Sequence, residues 1–290
     1  MRVLVTGAGG YIGGAITRRL AANPQIDLVA DSGRLEKRSE IARRLRDIQP
    51  DAVIHAAGRT SGSADALHDA NVAATANLAE AMADTAPACG LVLLSSAAQY
   101  GASPDRTPWT EAGPCEPDSD YGRSKLVAEA AAFARAPNVL SLRIFNVIAP
   151  APVGDQAFAV FLRRAGAALA GPPPAVARMG PLDAIRDFVS VDDVTAAAER
   201  VVLRGAWGGA INVCTGVGRT IRSLILDAAA RIDPALQVEA AAGAGGIDWS
   251  VGDPSCCRSR LGFTPSAALD ALLDGAAAWV RANAGAGADA

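Results

Sequence analysis

The first half of the chain alternates short apolar runs with segments whose apolar residues recur every three or four positions. Val3-Leu4-Val5 reads as a strand, and Ile12, Ile16 and Leu20 stripe a helix behind it. Leu28-Val29-Ala30 is a second, short strand. Ile41, Leu45 and Ile48 mark a second helix, which Pro50 ends. Ala52-Val53-Ile54 is a third strand, and an alanine-rich helix covers Val72 to Met82. Leu91-Val92-Leu93-Leu94 is a buried strand, Tyr121 to Arg135 a helix and Val139 to Ile144 a further strand. Strands that are apolar throughout, set between amphipathic helices, belong to a parallel sheet covered on both faces. The pattern therefore predicts an α/β protein.

After Asn146 the alternation breaks. Pro150, Pro152 and Pro172-Pro173-Pro174 interrupt it. We read residues 1–146 as the main domain, with 188–215 returning to its sheet. Residues 147–187 and 216–290 form a smaller C-terminal substrate-binding lobe. The glycine- and alanine-rich tail from Asn283 to Ala290 is expected to fray. There is no internal repeat.

Composition narrows the classes. With 290 residues, 50% of them hydrophobic, the chain can bury a large core and hold two lobes around a cleft. The net charge is only −3, and the arginine clusters (Arg18-Arg19, Arg43-Arg44-Arg46, Arg163-Arg164) alternate with apolar residues as solvated helix faces do. No nucleic acid partner is expected. No apolar run approaches the roughly 18 residues of a membrane span. The chain enters its first strand at Arg2, and Cys89, Cys115, Cys214, Cys256 and Cys257 show no CxxC spacing. Both point to a cytoplasmic protein with reduced thiols. His55 and His68 are the only histidines and are read as structural, so no metal site is expected.

Thr6-Gly7-Ala8-Gly9-Gly10-Tyr11-Ile12-Gly13 joins the first strand to the first helix. Glycine at 7, 10 and 13 allows a tight turn, close approach of backbone N–H groups to a pyrophosphate and close helix–sheet packing. The strand–loop–helix context is the one that confirms dinucleotide binding. The expected fold is a Rossmann-type doubly wound sheet. Gly7, Gly10, Tyr11, Ile12 and Gly13 form its phosphate loop. Asp31 ends the second strand, 18 residues after Gly13, where a carboxylate can accept from an adenosine ribose. Arg34 follows, and could instead meet a 2′-phosphate. NAD is favoured over NADP.

Tyr121-Gly122-Arg123-Ser124-Lys125 carries the chemistry. The chain has 25 arginines and two lysines, Lys37 and Lys125. A lysine one helical turn after a tyrosine, in such a chain, suggests a need that guanidinium does not meet. An ammonium is a compact point charge that can lower a phenol's pKa and also bond a ribose. A phenol near its ordinary pKa of roughly 10 needs such a charge to act as acid and base near neutrality.

These features together resemble the extended short-chain dehydrogenase/reductase family, its NAD-dependent epimerase/dehydratase group. The likeness covers nearly the whole chain. TGAGGYIG matches TGxxGxxG, and His55-Ala56-Ala57-Gly58 matches the segment that packs on the cofactor. Asn71-Val72 with Thr75 matches NVxGT, Ser95 to Gly101 matches SSxxxYG, and YGRSK matches YxxxK. Leu142 to Val147 matches LRxxNV, Arg186 to Val194 matches RDFxxVxDV, and Asn212 to Gly216 matches NVxxG. The resemblance implies that Ser96 bonds the reacting oxygen and Tyr121 moves the proton. Lys125 would hold the nicotinamide ribose and lower the Tyr121 pKa. Ala56, Ala57 and Gly58 would line the cofactor. Asn146 and Arg186, with Ser96 and Ala97, would meet the substrate, Arg186 as a phosphate clamp. The alternative for Arg186 is an ion pair with Asp187 or Asp183. Asn71, Ser95 and Ser124 are read as structural. A homodimer through the helix carrying YxxxK and its neighbour is implied.

The departures are informative. Where family dehydratases carry an acidic pair, this chain has Ala97 and Ala98, so dehydration is not expected. The acidic residue that meets the adenine amine has no counterpart, and no late arginine stands near Ile247-Asp248-Trp249. Gly180 to Phe188 and Ile211 to Gly216 look most like nucleotide-sugar 4-ketoreductases, the GDP-4-keto-6-deoxymannose reductase group. The resemblance implies an NAD(P)-dependent reduction of a nucleotide-activated 4-keto-deoxysugar. A nucleotide-sugar epimerase with retained NAD, a ketoreductase of a non-nucleotide natural product and a non-catalytic NAD(P)-binding protein are the alternatives.

Overall fold

A computed structural model describes residues 1–243 and 246–284. The tail from 285 onward, expected to fray, lies outside the described residues. The elements run β1 (Arg2–Thr6), α1 (Tyr11–Ala21), β2 (Asp27–Asp31), α2 (Arg38–Ile48), β3 (Ala52–His55) and α3 (Ala64–Leu67). A π-helical turn, His68–Ala73, leads into α4 (Ala74–Thr85). Then come β4 (Gly90–Ser96), α5 (Asp120–Arg135), β5 (Val139–Ile144), β6 (Asn146–Ile148), α6 (Ala157–Ala170), β7 (Val176–Met179) and β8 (Ile185–Ser190). The chain continues through α7 (Val191–Arg204), β9 (Ala210–Val213), β10 (Gly218–Thr220) and α8 (Ile221–Ile232). It closes with β11 (Gln237–Ala240), β12 (Trp249–Ser250), α9 (Ser255–Leu261) and α10 (Leu269–Asn283).

Six parallel strands form the main sheet in the order β2-β1-β3-β4-β5-β9. Strands β3, β4 and β5 are buried at every position, as their mainly apolar composition favours. One face packs on α1, α7 and α9 through Ile16, Leu20, Val194, Val201 and Leu261. The other packs on α2, α4 and α5 through Leu45, Leu78, Met82 and Ala132. Each of these leucine, isoleucine and valine side chains contributes about 1.5–3 kcal/mol by leaving water.

A second core lies among α6, α8 and α10, around Phe161, Leu162, Ile225 and Val280. A small sheet, with β8 paired to β6, β10 and β12, stands between the two cores. Helix α7 and β9 rejoin the main sheet, while β8 does not. Helix α9, late in the sequence, packs on the main core through Cys257 and Leu261.

A buried polar network ties α5 to the sheet. Glu129 Oε1 accepts from Arg143 Nη2 at 2.6 Å, and Oε2 accepts from Ser141 Oγ at 2.5 Å and Gln99 Nε2 at 3.1 Å. The Arg143 and Glu129 side chains are 10% and 4% exposed. Arg143 Nη1 donates to Tyr100 Oη at 2.9 Å and the Glu111 carbonyl at 3.0 Å. The Tyr100 hydroxyl donates to Asn212 Oδ1 at 2.7 Å, and the Tyr100 ring stacks on Trp109 with centroids 5.0 Å apart. Trp109 forms a β-bridge to Gly252, with Trp109 N–H donating to the Val251 carbonyl at 2.9 Å. The loop between β4 and α5 is thereby fixed at both ends and in its middle.

Burial raises the Glu129 pKa, but the bonds from Arg143, Ser141 and Gln99 outweigh it, and the carboxyl sits below its ordinary 4.5. A depressed folded-state pKa gives stability that is present above 4.5 and is lost as the pH falls through the folded value. Glu129→Gln leaves a buried guanidinium without its counter-charge and should cost about 3–5 kcal/mol in denaturant unfolding at pH 7. The difference from the wild type should shrink as the pH falls below 4.5 and on through the depressed folded value, where the native carboxyl also becomes neutral.

Candidate active site

A cleft of 640 Å³ opens at the C-terminal ends of β1, β3, β4 and β5, against the second lobe. Gly10, Tyr11, Ile12, Gly13, Ala56 and Gly58 line one end, with Ser96, Ala97, Tyr121 and Lys125 in the middle. Asn146 and Arg186 line the other end. Gly7, Ala57, Asp31 and Arg34 do not line it. Gly7 takes φ +72°, and a Cβ there would lie 2.5 Å from Ala57 N, so these two pack against each other beneath the loop. A Cβ on Gly13 would collide with the Gly7 carbonyl. Helix α1 starts at Gly10 without a side-chain cap. Its first-turn amides, at Tyr11, Ile12 and Gly13, therefore face the cleft as open donors with the positive end of the helix dipole behind them. That arrangement fits a pyrophosphate.

Ser96 ends β4. Its Oγ accepts from Ala98 N–H at 3.2 Å, which folds Ala97–Gln99 into a single tight turn. Ser119 caps α5 by accepting from Gly122 N–H at 3.1 Å. Gly122 is a functional position that pattern reading missed. A Cβ there would collide with the Ala98 carbonyl and lie 2.9 Å from Pro117 Cβ. Only glycine lets the first turn of α5, and so Tyr121, press against the turn that follows Ser96. The signal was available in the YGRSK run but had no meaning without the contact.

Burial raises the Tyr121 pKa, and the nearby Ser96 hydroxyl opposes it. Lys125 is partly buried, and this desolvation brings its pKa down from 10.5 to about 8. Its Nζ donates to the Leu94 carbonyl at 2.8 Å. Among the described residues this is its one hydrogen bond, leaving two donor protons for a ligand. A partly buried ammonium with spare donors beside the cleft also fits a ribose. The sequence-based expectation that Lys125 lowers the Tyr121 pKa has a different balance here, since Ser96 is the group that opposes burial.

The supporting side chains are ordered by hydrogen bonds. Thr75 Oγ1 donates to the Asn71 carbonyl at 2.6 Å, so its oxygen accepts from His55 Nε2 at 3.1 Å. His55 Nδ1 then accepts from Thr6 Oγ1 at 2.7 Å. The imidazole is neutral: burial first, and the Lys125 charge second, bring its pKa to about 3. Asn71 Nδ2 donates to Ser124 Oγ at 2.9 Å, and Ser124 Oγ donates to the Tyr121 carbonyl at 2.8 Å. Asn71 also bonds both backbone groups of Arg59, which lines the cleft.

At the far end, Arg186 makes neither of the ion pairs considered from sequence. Asp183 pairs with Arg222, while Asp187 accepts from the Thr215 and Gly216 amides at 2.8 and 2.9 Å. Among the described residues Arg186 donates only to the carbonyls of Ile185 and Ile247, at 2.8 and 2.7 Å, and burial lowers its pKa. A partly buried guanidinium without a bonded carboxylate among the described residues fits an anionic ligand. Asn146 Nδ2 donates to the Asp187 carbonyl at 3.2 Å beside it. Arg34 points to solvent with Glu36, and Asp31 is bound by Arg44. Among the described residues, no helix is long and apolar enough to cross a membrane.

Comparison with known proteins agrees with this geometry. Residues 3–214 match the NAD dependent epimerase/dehydratase family. The chain is 31% identical to the dTDP-6-deoxy-L-talose 4-dehydrogenase (NAD(P)(+)) of Kitasatospora kifunensis, over 92% of each protein. It is 30% identical to the GDP-6-deoxy-D-mannose reductase of Pseudomonas aeruginosa, over 77% of this chain and 78% of that protein. The structure of RMD from Pseudomonas aeruginosa complexed with NADPH superposes with a TM-score of 0.84 at 26% identity, covering 97% of this chain and 99% of that one. The UDP-glucose 4-epimerase of Thermus thermophilus, in complex with NAD, gives 0.81 at 26% identity, with 97% and 99% coverage. The chain belongs to the NAD dependent epimerase/dehydratase family and is an NAD(P)-dependent enzyme of the Rossmann fold.

Proposed function

We propose that the chain reduces the keto group of a nucleotide-activated 4-keto-deoxysugar, with Tyr121 as the general acid. The observation that carries this reading is the meeting of three groups in one cleft: the Ser96–Tyr121–Lys125 set, the open start of α1 and the Arg186 guanidinium. The names of the relatives aligned over most of the chain, a 6-deoxy-talose dehydrogenase and a 6-deoxy-mannose reductase, support the substrate class.

Bound NAD(P)H supplies the hydride. The residues of the chain do the rest. Burial keeps the Tyr121 phenol protonated, which suits a donor to an oxygen that gains charge. The Ser96 hydroxyl stands beside that phenol and can bond the same oxygen. Lys125 brings a positive charge to the site without a carboxylate bonded to it. Ala97 and Ala98 offer no acid or base for eliminating water. Arg186 is the candidate for the diphosphate. Dimerisation through α5 and a cytoplasmic location belong to the same reading.

Adding a 4-keto-6-deoxy nucleotide sugar should consume reduced nicotinamide absorbance, and no oxidation with any such substrate would sink the assignment. Tyr121→Phe should lower kcat by about 10²–10⁴-fold with cofactor affinity retained. Arg186→Ala should raise KM for the nucleotide sugar by about tenfold, with a smaller change in kcat. The second reading is an epimerase, supported by the likeness to UDP-glucose 4-epimerases. Tightly retained NAD and turnover without added cofactor would favour it.

Lys125 is held at a cost. A lysine whose folded pKa is lowered to about 8 destabilises the fold when protonated, and the cost disappears as the pH rises from about 8 toward 10.5. Lys125→Met should therefore stabilise the cofactor-free protein by about 1–3 kcal/mol at pH 7, with the gain fading above pH 8. Activity should be lost in the same variant. Thermal unfolding followed across pH 6–10 checks the sign.

A further inference from the structure

We infer that the adenosine end of the dinucleotide site accepts the 2′-phosphorylated cofactor, and that Arg44 makes this possible by acting through Asp31. The inference rests on the NAD(P)-dependent reading above, and not on the identity of the substrate.

Asp31 ends β2, where a free carboxylate bonds the ribose hydroxyls and repels a 2′-phosphate. Here the carboxylate is not free. Oδ1 accepts from the Gly33 amide at 2.7 Å and Oδ2 from Arg44 Nη1 at 2.6 Å. The Arg44 and Asp31 side chains are 25% and 18% exposed. Arg44 Nη2 also donates to the Arg34 carbonyl at 2.7 Å. One guanidinium from α2 thus neutralises the carboxylate and holds the backbone of the turn after β2. Gly33 makes room for it, because a Cβ there would collide with Arg44 Nη1.

The turn then presents two groups suited to a phosphate. Ser32 Oγ overhangs the phosphate loop: a Cβ on Gly9 would lie 3.3 Å from it. The Arg34 side chain is 86% exposed, and its pairing with Glu36, itself 67% exposed, is weak competition for a phosphate. The charged groups of the turn are Asp31, Arg34, Glu36 and Lys37, with Arg44 reaching in from α2; Lys37 is paired with Glu40. Removing Arg44 would uncover a carboxylate that repels a doubly charged phosphate far more than a neutral ribose hydroxyl. Arg44 is a positioning residue in this account.

Titration calorimetry with NADH and with NADPH tests it without any sugar substrate. The wild type should bind NADPH at least as tightly as NADH. Arg44→Met should weaken NADPH binding by about tenfold or more and NADH binding by less than about threefold. Asp31→Asn combined with Arg44→Met, which removes both charges, should recover NADPH binding to within about threefold of the wild type. A wild type that prefers NADH by about tenfold overturns the inference, and so does equal weakening of both cofactors in Arg44→Met. Failure of the double variant to recover NADPH binding overturns it as well. Should Arg44→Met not fold, the wild-type preference and the double variant still decide.

Discussion

The contact of Glu129 with Arg143 sets the position of the helix that carries Tyr121 and Lys125. Tyr121, Lys125 and Glu129 stand four residues apart on one face of α5. The last of the three is bonded to β5 and to the turn after β4. Fixing that end of the face fixes the rotation of the helix, and so the depth at which Tyr121 and Lys125 enter the cleft. The same arginine reaches Tyr100 and the Glu111 carbonyl. The strand that ends in Ser96, the helix that carries Tyr121 and the loop between them share one charge-assisted centre. A buried ion pair is a poor source of net stability, but it specifies geometry where an apolar contact would allow sliding.

The cations divide into two kinds. Arg143 is buried with its counter-charge satisfied, whereas among the described residues Lys125 and Arg186 bond only to backbone carbonyls. Both of the latter line the same cleft. Burial lowers the pKa of each, and at Arg186 the charges of Asp248 and Asp118 oppose it. A site prepared in this way is suited to an anion, because its donors are already held. The open first turn of α1 adds a third positive element, a dipole rather than a charge.

The sheet was legible because parallel strands advertise themselves. A run such as Leu91 to Leu94 is apolar at each position, and the structure buries it on both faces. Tyr121 and Lys125 could be paired from the sequence because motif spacing is local: four residues on a helix make one turn. What sequence could not reveal depends on contacts between distant residues. Asp31 reads as a ribose acceptor until Arg44, 13 residues on, is seen to occupy it. Arg186 offers two acidic neighbours in sequence, yet Asp187 is turned onto the amides of Thr215 and Gly216. Glu129 was visible at helical spacing from Lys125, but its partners Gln99 and Arg143 come from other elements. The late packing of α9 on the main core was hidden for the same reason, since Cys257 and Leu261 carry no sign of which core they join.

The β-bridge between Trp109 and Gly252 couples the two halves mechanically. Trp109 sits midway along the loop that enters α5, and Gly252 follows β12, whose partner β8 bears Arg186. Asn212, in the last strand of the main sheet, clasps the Trp109 carbonyl at 2.7 Å. The loop therefore works as a strut between the strand that carries Arg186 and the helix that carries Tyr121. The backbone on which one end of the cleft is built and the backbone that leads into the other are tied by a single set of hydrogen bonds.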